Sequence, residues 1–401
     1  MKQIDGGITA VRGIRASGVH AGLKPAGQKD FALIVADTPA VAAGVFTRNR
    51  VCAATVLLSR EHLSDCTAQA IVVNSGNANA CTGKQGLVNA RRMASLVAEK
   101  FDIDSCLVLV SSTGVIGQQL PMDTITHGIQ IASAGLCANG GHDAAQAIMT
   151  TDTVPKEVAI EVEIGGKTVR IGGMTKGAGM IAPNMATMLG FLATDVTISS
   201  GLLQSALHLA VDKSFNRVTI DTDQSTNDTV QILATGKATN PEITEKSGPD
   251  YDAFCKALES VCVELAKKIA RDGEGATKMI EVTIKNARNE SDAEMGARAI
   301  AESPLVKTAI FGKDANWGRI MMAVGKSEAH FHPYQVDVWL DDYQLVKGGM
   351  DAHFDEEKAT GLLSKNEVHI TVDLNAGNAR ATVWTCDYSY DYIRINADYR
   401  T

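Results

Sequence analysis

The sequence is poor in aromatic residues, 5% of its 401 positions, and nine of those positions are proline. Nowhere do about 18 apolar residues run together without a charge, the length a membrane-crossing helix needs, so no membrane span is expected. The opening MKQIDGGITA lacks the apolar core of a secretory signal peptide. Eight cysteines (52, 66, 81, 106, 137, 255, 262 and 386) form no C-x-x-C pair and read as reduced thiols of a cytoplasmic protein. Cys81 alone lies in a polar, loop-like motif, where a catalytic thiol competes with simple packing. The nine histidines include no H-E-x-x-H, and His330 and His332 have no third ligand near them in sequence, so no metal is expected. A net charge of −8 offers no field attractive to nucleic acid or an anionic membrane, and no Lys/Arg run stands out. The lysine of GMTKGAG is not followed by Ser or Thr, which excludes a P-loop.

What is present is the profile of an ordinary soluble globular protein, 45% apolar and 21% charged, long enough for two or three domains. Its 36 glycines imply many tight backbone approaches. Short apolar runs at Phe31–Ala36, Ala40–Phe46, Ala53–Leu58 and Ala70–Val73 read as strands. The last runs into the polar loop NSGNANACTG (74–83). Residues 86–101 have the spacing of an amphipathic helix. Cys106–Val110 reads as a buried strand opening into SSTGVIG, where Thr113 and Gly114 set a hydroxyl beside a freely oriented N–H. Those are two donors suited to an oxyanion; taken by itself, the stretch reads first as an ordinary turn. Helices are expected from Asp123 to Met149, then the hydroxyl-rich TTDT (150–153) and a hairpin IEVEIGGKTVRIGG.

The densest stretch is Gly172 to Asp195, GGMTKGAGMIAPNMATMLGFLATD. Glycines crowd the lone Lys176, and Met188–Ala193 reads as a strand buried on both faces. Thr187 falls at the junction of permissive loop and buried strand, where a nucleophile can be held still; a plain turn between core strands is the competing reading. A helix follows at 202–215. Asp221, Asp223 and Asp228 suggest a calcium loop, but the positions that require Gly and Glu hold Thr226 and Ile232, so a hydrogen-bonded turn is expected. Tyr251 to Ile269 trace a long helix ending at ARDGEGATK, where Glu274 stands between glycines and, by itself, reads as solvent-facing. From Glu281 the pattern shifts to a smaller α/β unit: strand IEVTIKNA, helix Ser291–Glu302, a loop FGKDANWGRI (311–320), and strands QVDVWL, EVHITVDL and ARATVWT. A domain line at 277/278 follows, giving 1–277 and 278–401.

Taken together, NSGNANACTG, SSTGVIG, TTDT, KGAGMIAPNMATMLGF, DGEGATK and INADYRT closely resemble the glutamate N-acetyltransferase/ornithine acetyltransferase family of arginine biosynthesis, over essentially the whole chain. Where that family usually shows DGDTSTND, this chain reads Asp221-Thr222-Asp223-Gln224-Ser225-Thr226-Asn227-Asp228. The resemblance implies layered α/β sheets and helices with a smaller C-terminal α/β domain. It also implies self-cleavage between Ala186 and Thr187 into an alpha fragment, 1–186, and a beta fragment, 187–401, assembled as a heterotetramer of two of each. Thr187 is the implied nucleophile, Thr113 and Gly114 the oxyanion pair, and Thr150, Lys176, Thr187, Glu274, Asn396 and Thr401 the substrate-binding set. The implied reaction moves acetyl from N-acetylornithine to glutamate without a cofactor, acetyl-CoA being open as a co-substrate. An N-terminal-nucleophile aminopeptidase or amidohydrolase, giving the acyl group to water, is the alternative. A non-enzymatic Gly-rich binding protein is the more distant one.

Overall fold

The structure, a computed structural model, describes residues 1–182 and 188–398. Two compact units emerge: Met1–Asn216 with Asp223–Leu265, and Arg217–Thr222 with the residues from Ala266 on. The chain passes from the first to the second within the helix Pro249–Arg271.

In the first unit the described strands are β1 (Lys2–Ile4), β2 (Ile14–Val19), β3 (Phe31–Phe46), β4 (Thr67–Asn77), β5 (Val108–Val115), β6 (Lys156–Ile164), β7 (Lys167–Lys176), β8 (Leu189–Thr194) and β9 (Thr229–Ala234). They form one sheet ordered β1-β6-β7-β8-β9-β3-β4-β5, with β2 also on β3. β4–β5 and β8–β9 are parallel pairs. Both faces are covered, which is why its strands read as unbroken apolar runs. Ala32, Ile34, Ile71 and Val73 point into a cluster with Met174, Phe191 and Leu233. Their alternating neighbours Phe31, Leu33, Val35, Ala70 and Val72 pack with Met93, Val97, Ile125 and Ile129 of the helices Gly83–Phe101 and Met122–Ala134. The class expected from sequence, layered α/β, is the class observed.

Two runs expected as separate strands are one. β3 is continuous through Phe46, with its register on β4 shifting between Val35 and Ala40. Pro39, which cannot donate to a ladder, falls within that irregularity. Ala53–Leu58, expected as a strand, is instead part of the helix Ala54–His62. A short apolar run has no period long enough to choose between the two. The open edge of β5 decides it. Ser59 Oγ donates to the Val110 carbonyl (2.8 Å) and accepts from the Val110 N–H (2.9 Å), and His62 Nδ1 lies 2.8 Å from the Val108 carbonyl. The helix thus satisfies an edge that would otherwise be left unpaired.

The second unit's sheet runs β13 (Met350–Asp351), β12 (Tyr343–Lys347), β11 (Asp337–Leu340), β14 (Glu367–Asp373), β10 (Met279–Ala287), β15 (Ala379–Cys386). Ala293, Ala297 and Ile300 of the helix Glu290–Ala301 pack against Ile280, Val282 and Ile284 of β10. The segment 311–320, expected as a loop, contains the start of the helix Trp317–Gly325. Asn316 caps that start, its Oδ1 accepting from Arg319 N at 3.3 Å.

Candidate active site

The carboxyl ends of parallel strands are where open α/β sheets bind ligands, and β4 and β5 end side by side. Gly76 pairs with Gly114 across them. Gly114 has φ +128°, and a Cβ there would lie 2.4 Å from the Gly76 carbonyl carbon. Only glycine tolerates that closeness, which accounts for the Thr-Gly step after this strand. Side chains lock the strand ends. Ser112 Oγ donates to Asn74 Oδ1 (2.6 Å), and Asn74 Nδ2 donates to the Asn77 carbonyl (2.8 Å). Asn227 Nδ2 donates to the carbonyls of Ala78 (2.6 Å) and Ser112 (2.7 Å). The polar loop 74–83 and the 225–228 turn are thus scaffolding for the Gly76–Gly114 pair.

β7 brings its last residue, Lys176, to the same end. Its buried ammonium donates to Thr150 Oγ1 (2.6 Å) and Thr113 Oγ1 (3.4 Å) and lies 4.0 Å from Asp152 Oδ2. Asp152 organises the group. It accepts from Lys156 Nζ (2.6 Å), Gly177 N (2.7 Å) and Thr150 N (3.0 Å). Burial alone would raise its pKa, but Lys156, Lys176 and the hydrogen bonds from Lys156 and Gly177 outweigh that and hold the carboxyl well below its usual range. Lys156 itself is 0% exposed. A buried ammonium is tolerated only with such a counter-charge.

Next to the junction, Asp228 Oδ1 accepts from Met188 N at 2.9 Å, and Thr229 N donates to the Met188 carbonyl at 3.1 Å. These bonds fix the residue after Thr187. Burial pushes the Asp228 carboxyl far above its usual pKa, against the Met188 hydrogen bond and the charge of Lys176.

In the second unit Glu274 is 7% exposed and accepts from Asn396 Nδ2 at 2.7 Å. That corrects the solvent-facing reading of its sequence. Gly275 (φ +68°) makes the burial possible, since a Cβ there would lie 2.4 Å from Tyr392 N in the helix Tyr390–Asp398. Asn396 also donates to the Tyr392 carbonyl (3.0 Å).

Of the expected site residues, Thr113, Gly114, Thr150 and Lys176 come together in the first unit, and Glu274 and Asn396 in the second. Ala186, Thr187 and Thr401 lie outside the described residues. Asp152, Lys156 and Asp228 were missed by sequence reasoning. An aspartate between two threonines in TTDT was the visible signal for Asp152, but only the β6–β7 hairpin shows which lysines it meets. Cys81 is exposed and Cys262 buried, and each of the eight thiols is free. Among the described residues there is no group of three His, Cys, Asp or Glu able to hold a metal ion, and no helix is long and apolar enough to cross a membrane.

A mixed α/β enzyme that transfers acyl groups between small molecules is the class to which this fold and its relatives point. The model of the ArgJ family matches residues 15–401, and the chain belongs to that family. It is 53% identical, over all of both chains, to the arginine biosynthesis bifunctional protein ArgJ of Symbiobacterium thermophilum. It is 49% identical, again over all of both, to that of Caldanaerobacter subterraneus subsp. tengcongensis. The crystal structure of arginine biosynthesis bifunctional protein argJ from Bacillus halodurans aligns with a TM-score of 0.52 at 47% identity, covering 53% of this chain and 100% of that one. The chain is accordingly an acyltransferase of arginine biosynthesis.

Proposed function

We propose that the chain takes acetyl from N2-acetyl-L-ornithine onto Thr187 and passes it to the α-amine of L-glutamate, the ornithine-to-glutamate cycle of arginine biosynthesis. The chain first cuts itself: Thr187 Oγ attacks the Ala186 carbonyl, the peptide becomes an ester, and water releases Ala186 and a new N-terminus. That α-amine has an ordinary pKa near 7.7–8, so its neutral form serves as base for its own hydroxyl. Thr187 Oγ then attacks the acetyl carbonyl, the C–N bond breaks, and the proton moves through the amine to the departing ornithine. The reverse sequence acetylates glutamate. Amide is exchanged for amide, so no activated cofactor is needed.

The observation that carries the reading is the Lys176 ammonium buried against both Thr150 and Thr113. Because Thr113 Oγ accepts from Lys176, its own hydrogen is left to donate to a tetrahedral oxyanion, with the Gly114 N–H as second donor. One such donor is worth roughly 3 kcal/mol of barrier. Lys176 suits a substrate carboxylate, and Glu274, bridged by Asn396, suits the side-chain ammonium of ornithine; Thr150 and Thr401 complete the binding set. Acetyl-CoA as a second donor, a cytoplasmic location and a heterotetramer of two alpha and two beta fragments belong to the same reading.

Labelled acetyl from acetylornithine should end on glutamate. Its appearance as free acetate at the same rate would make the enzyme a hydrolase instead. Thr187→Ala should give one uncut chain without exchange.

A further inference from the structure

Beside the Thr150–Lys176–Asp152 group lies a cavity of about 420 Å³, lined among others by Lys24, Gln28, Lys29, Gln146, Met149 and Thr150. The loop that carries Lys24 is built around Asp30. This carboxylate is fully buried and accepts from the backbone N–H groups of Ala21 (2.6 Å), Gly22 (3.1 Å), Leu23 (2.7 Å) and Lys24 (2.9 Å). The Lys24 stem passes over Gly76, where an added Cβ would meet Lys24 Cγ at 3.4 Å. Its ammonium then donates to the carbonyls of Lys29 (3.0 Å) and Met149.

Lys29 pairs with Asp143, while Lys156 and Lys176 share Asp152. Asp30 is taken up by backbone N–H groups and, at 3.3 Å, by His20 Nδ1. Lys24 is left with two neutral carbonyls, and among the described residues no carboxylate lies within ion-pair distance of it. An ammonium has three hydrogens to donate, these two carbonyls take two of them, and Lys24 is one of the residues lining the cavity. Burial, then the charge of Lys176, bring its pKa down to about 8 against the pull of Asp30 and Asp152. Such a half-buried cation gains most from a bound anion.

We propose that Lys24 and this cavity form an anion subsite that takes the side-chain carboxylate of the acyl acceptor. The inference rests on the acetyl-exchange reading above. The two substrates differ there: the donor carries one carboxylate and one ammonium, the acceptor two carboxylates. Lys176 serves the carboxylate common to both, and Lys24 the one that only a dicarboxylic acceptor has. Lys24 is therefore a specificity determinant of the second half-reaction.

The test compares wild type with Lys24→Met and Lys24→Arg, using glutamate and its neutral isostere glutamine as acceptors and acetylornithine as donor. A charge-assisted hydrogen bond is worth roughly tenfold to a hundredfold in affinity. In Lys24→Met the KM for glutamate should rise by about that factor relative to the KM for acetylornithine. The preference for glutamate over glutamine should collapse by the same factor, and Lys24→Arg should restore part of it. Equal effects on both substrates, or an unchanged glutamate-to-glutamine ratio, would overturn the subsite and leave Lys24 a loop strut. Calorimetric titration of wild type and Lys24→Met with glutamate alone separates the two readings. Lys24-dependent binding without acetyl transfer would keep the subsite and sink the exchange reaction; transfer with Lys24-independent binding would do the opposite.

Discussion

Two buried charged groups, one in each unit, are held on opposite principles. In the first, Lys176 and Lys156 are buried around one shared carboxylate, Asp152, which already supplies the counter-charge. In the second, Glu274 is buried with a neutral amide, Asn396, and among the described residues no ion pair reaches it. A buried charge without a counter-charge is costly to the fold. The difference teaches which charges are internal structure and which wait for a ligand. Asp152 is a structural anion; Glu274, like Lys24 in the first unit, has no counter-charge within ion-pair distance among the described residues, and in the proposed reading each receives a charge brought by a substrate.

That contrast is breakable. Asp152→Asn removes the carboxylate that two buried ammonium groups share, and unfolding in urea should show a loss of about 3–5 kcal/mol. A loss under 1 kcal/mol would mean the pair is not held as described. The same variant should change the acid limb. A carboxyl whose pKa is depressed in the fold contributes stability above its unfolded pKa, near 3.9, and loses it as pH falls through the folded value. Wild type should therefore lose stability below about pH 4 more steeply than Asp152→Asn does. The next largest effect is expected at Gly114→Ala, whose Cβ would press on the Gly76 backbone. Displacing the proposed oxyanion donor should cost roughly a hundredfold to a thousandfold in kcat, while Gly201→Ala, where a Cβ meets nothing within 4 Å and φ is not positive, should cost far less.

Glu274→Gln sharpens the comparison from the other side. With no internal cation to strand, its stability should stay close to wild type. The rate with acetylornithine should fall roughly tenfold to a hundredfold, and an unchanged rate would reject its pairing with the ornithine ammonium. Smallest of all is Asp228→Asn. Burial raises the pKa of its carboxyl, so the group contributes stability at low pH and loses it as pH rises through the raised folded value. The amide keeps an acceptor for Met188 N, and at neutral pH the variant should be as stable as wild type or up to about 1 kcal/mol more stable. Clear destabilisation at neutral pH would contradict a raised Asp228 pKa.

How far the sequence carried this account depended on whether the deciding partner lay close in the chain. The strands β4, β5 and β8 were legible because both of their faces are buried, which leaves an apolar run. Thr113, Gly114, Thr150 and Lys176 were legible as motifs, and the fold brings them to one strand end. Ala53–Leu58 was misread because the helix that contains it is tied through Ser59 and His62 to Val110 and Val108, on an edge that the local run cannot reveal. Asp152 and Lys24 were missed for the same reason. Asp152 meets Lys156 only four positions away, but its second lysine, Lys176, and the Met149 carbonyl that holds Lys24 come from other parts of the chain, and only the folded chain displays these contacts. Glu274 was placed in solvent because glycines flank it; those glycines instead let it pack beneath a helix.

The most direct measurement is intact mass spectrometry of active enzyme before and after acetylornithine is added without an acceptor. The account requires two fragments, 1–186 and 187–401, with one acetyl group gained by the second and surrendered when glutamate is supplied. A fully active single chain, or acetyl carried on the first fragment, would contradict it.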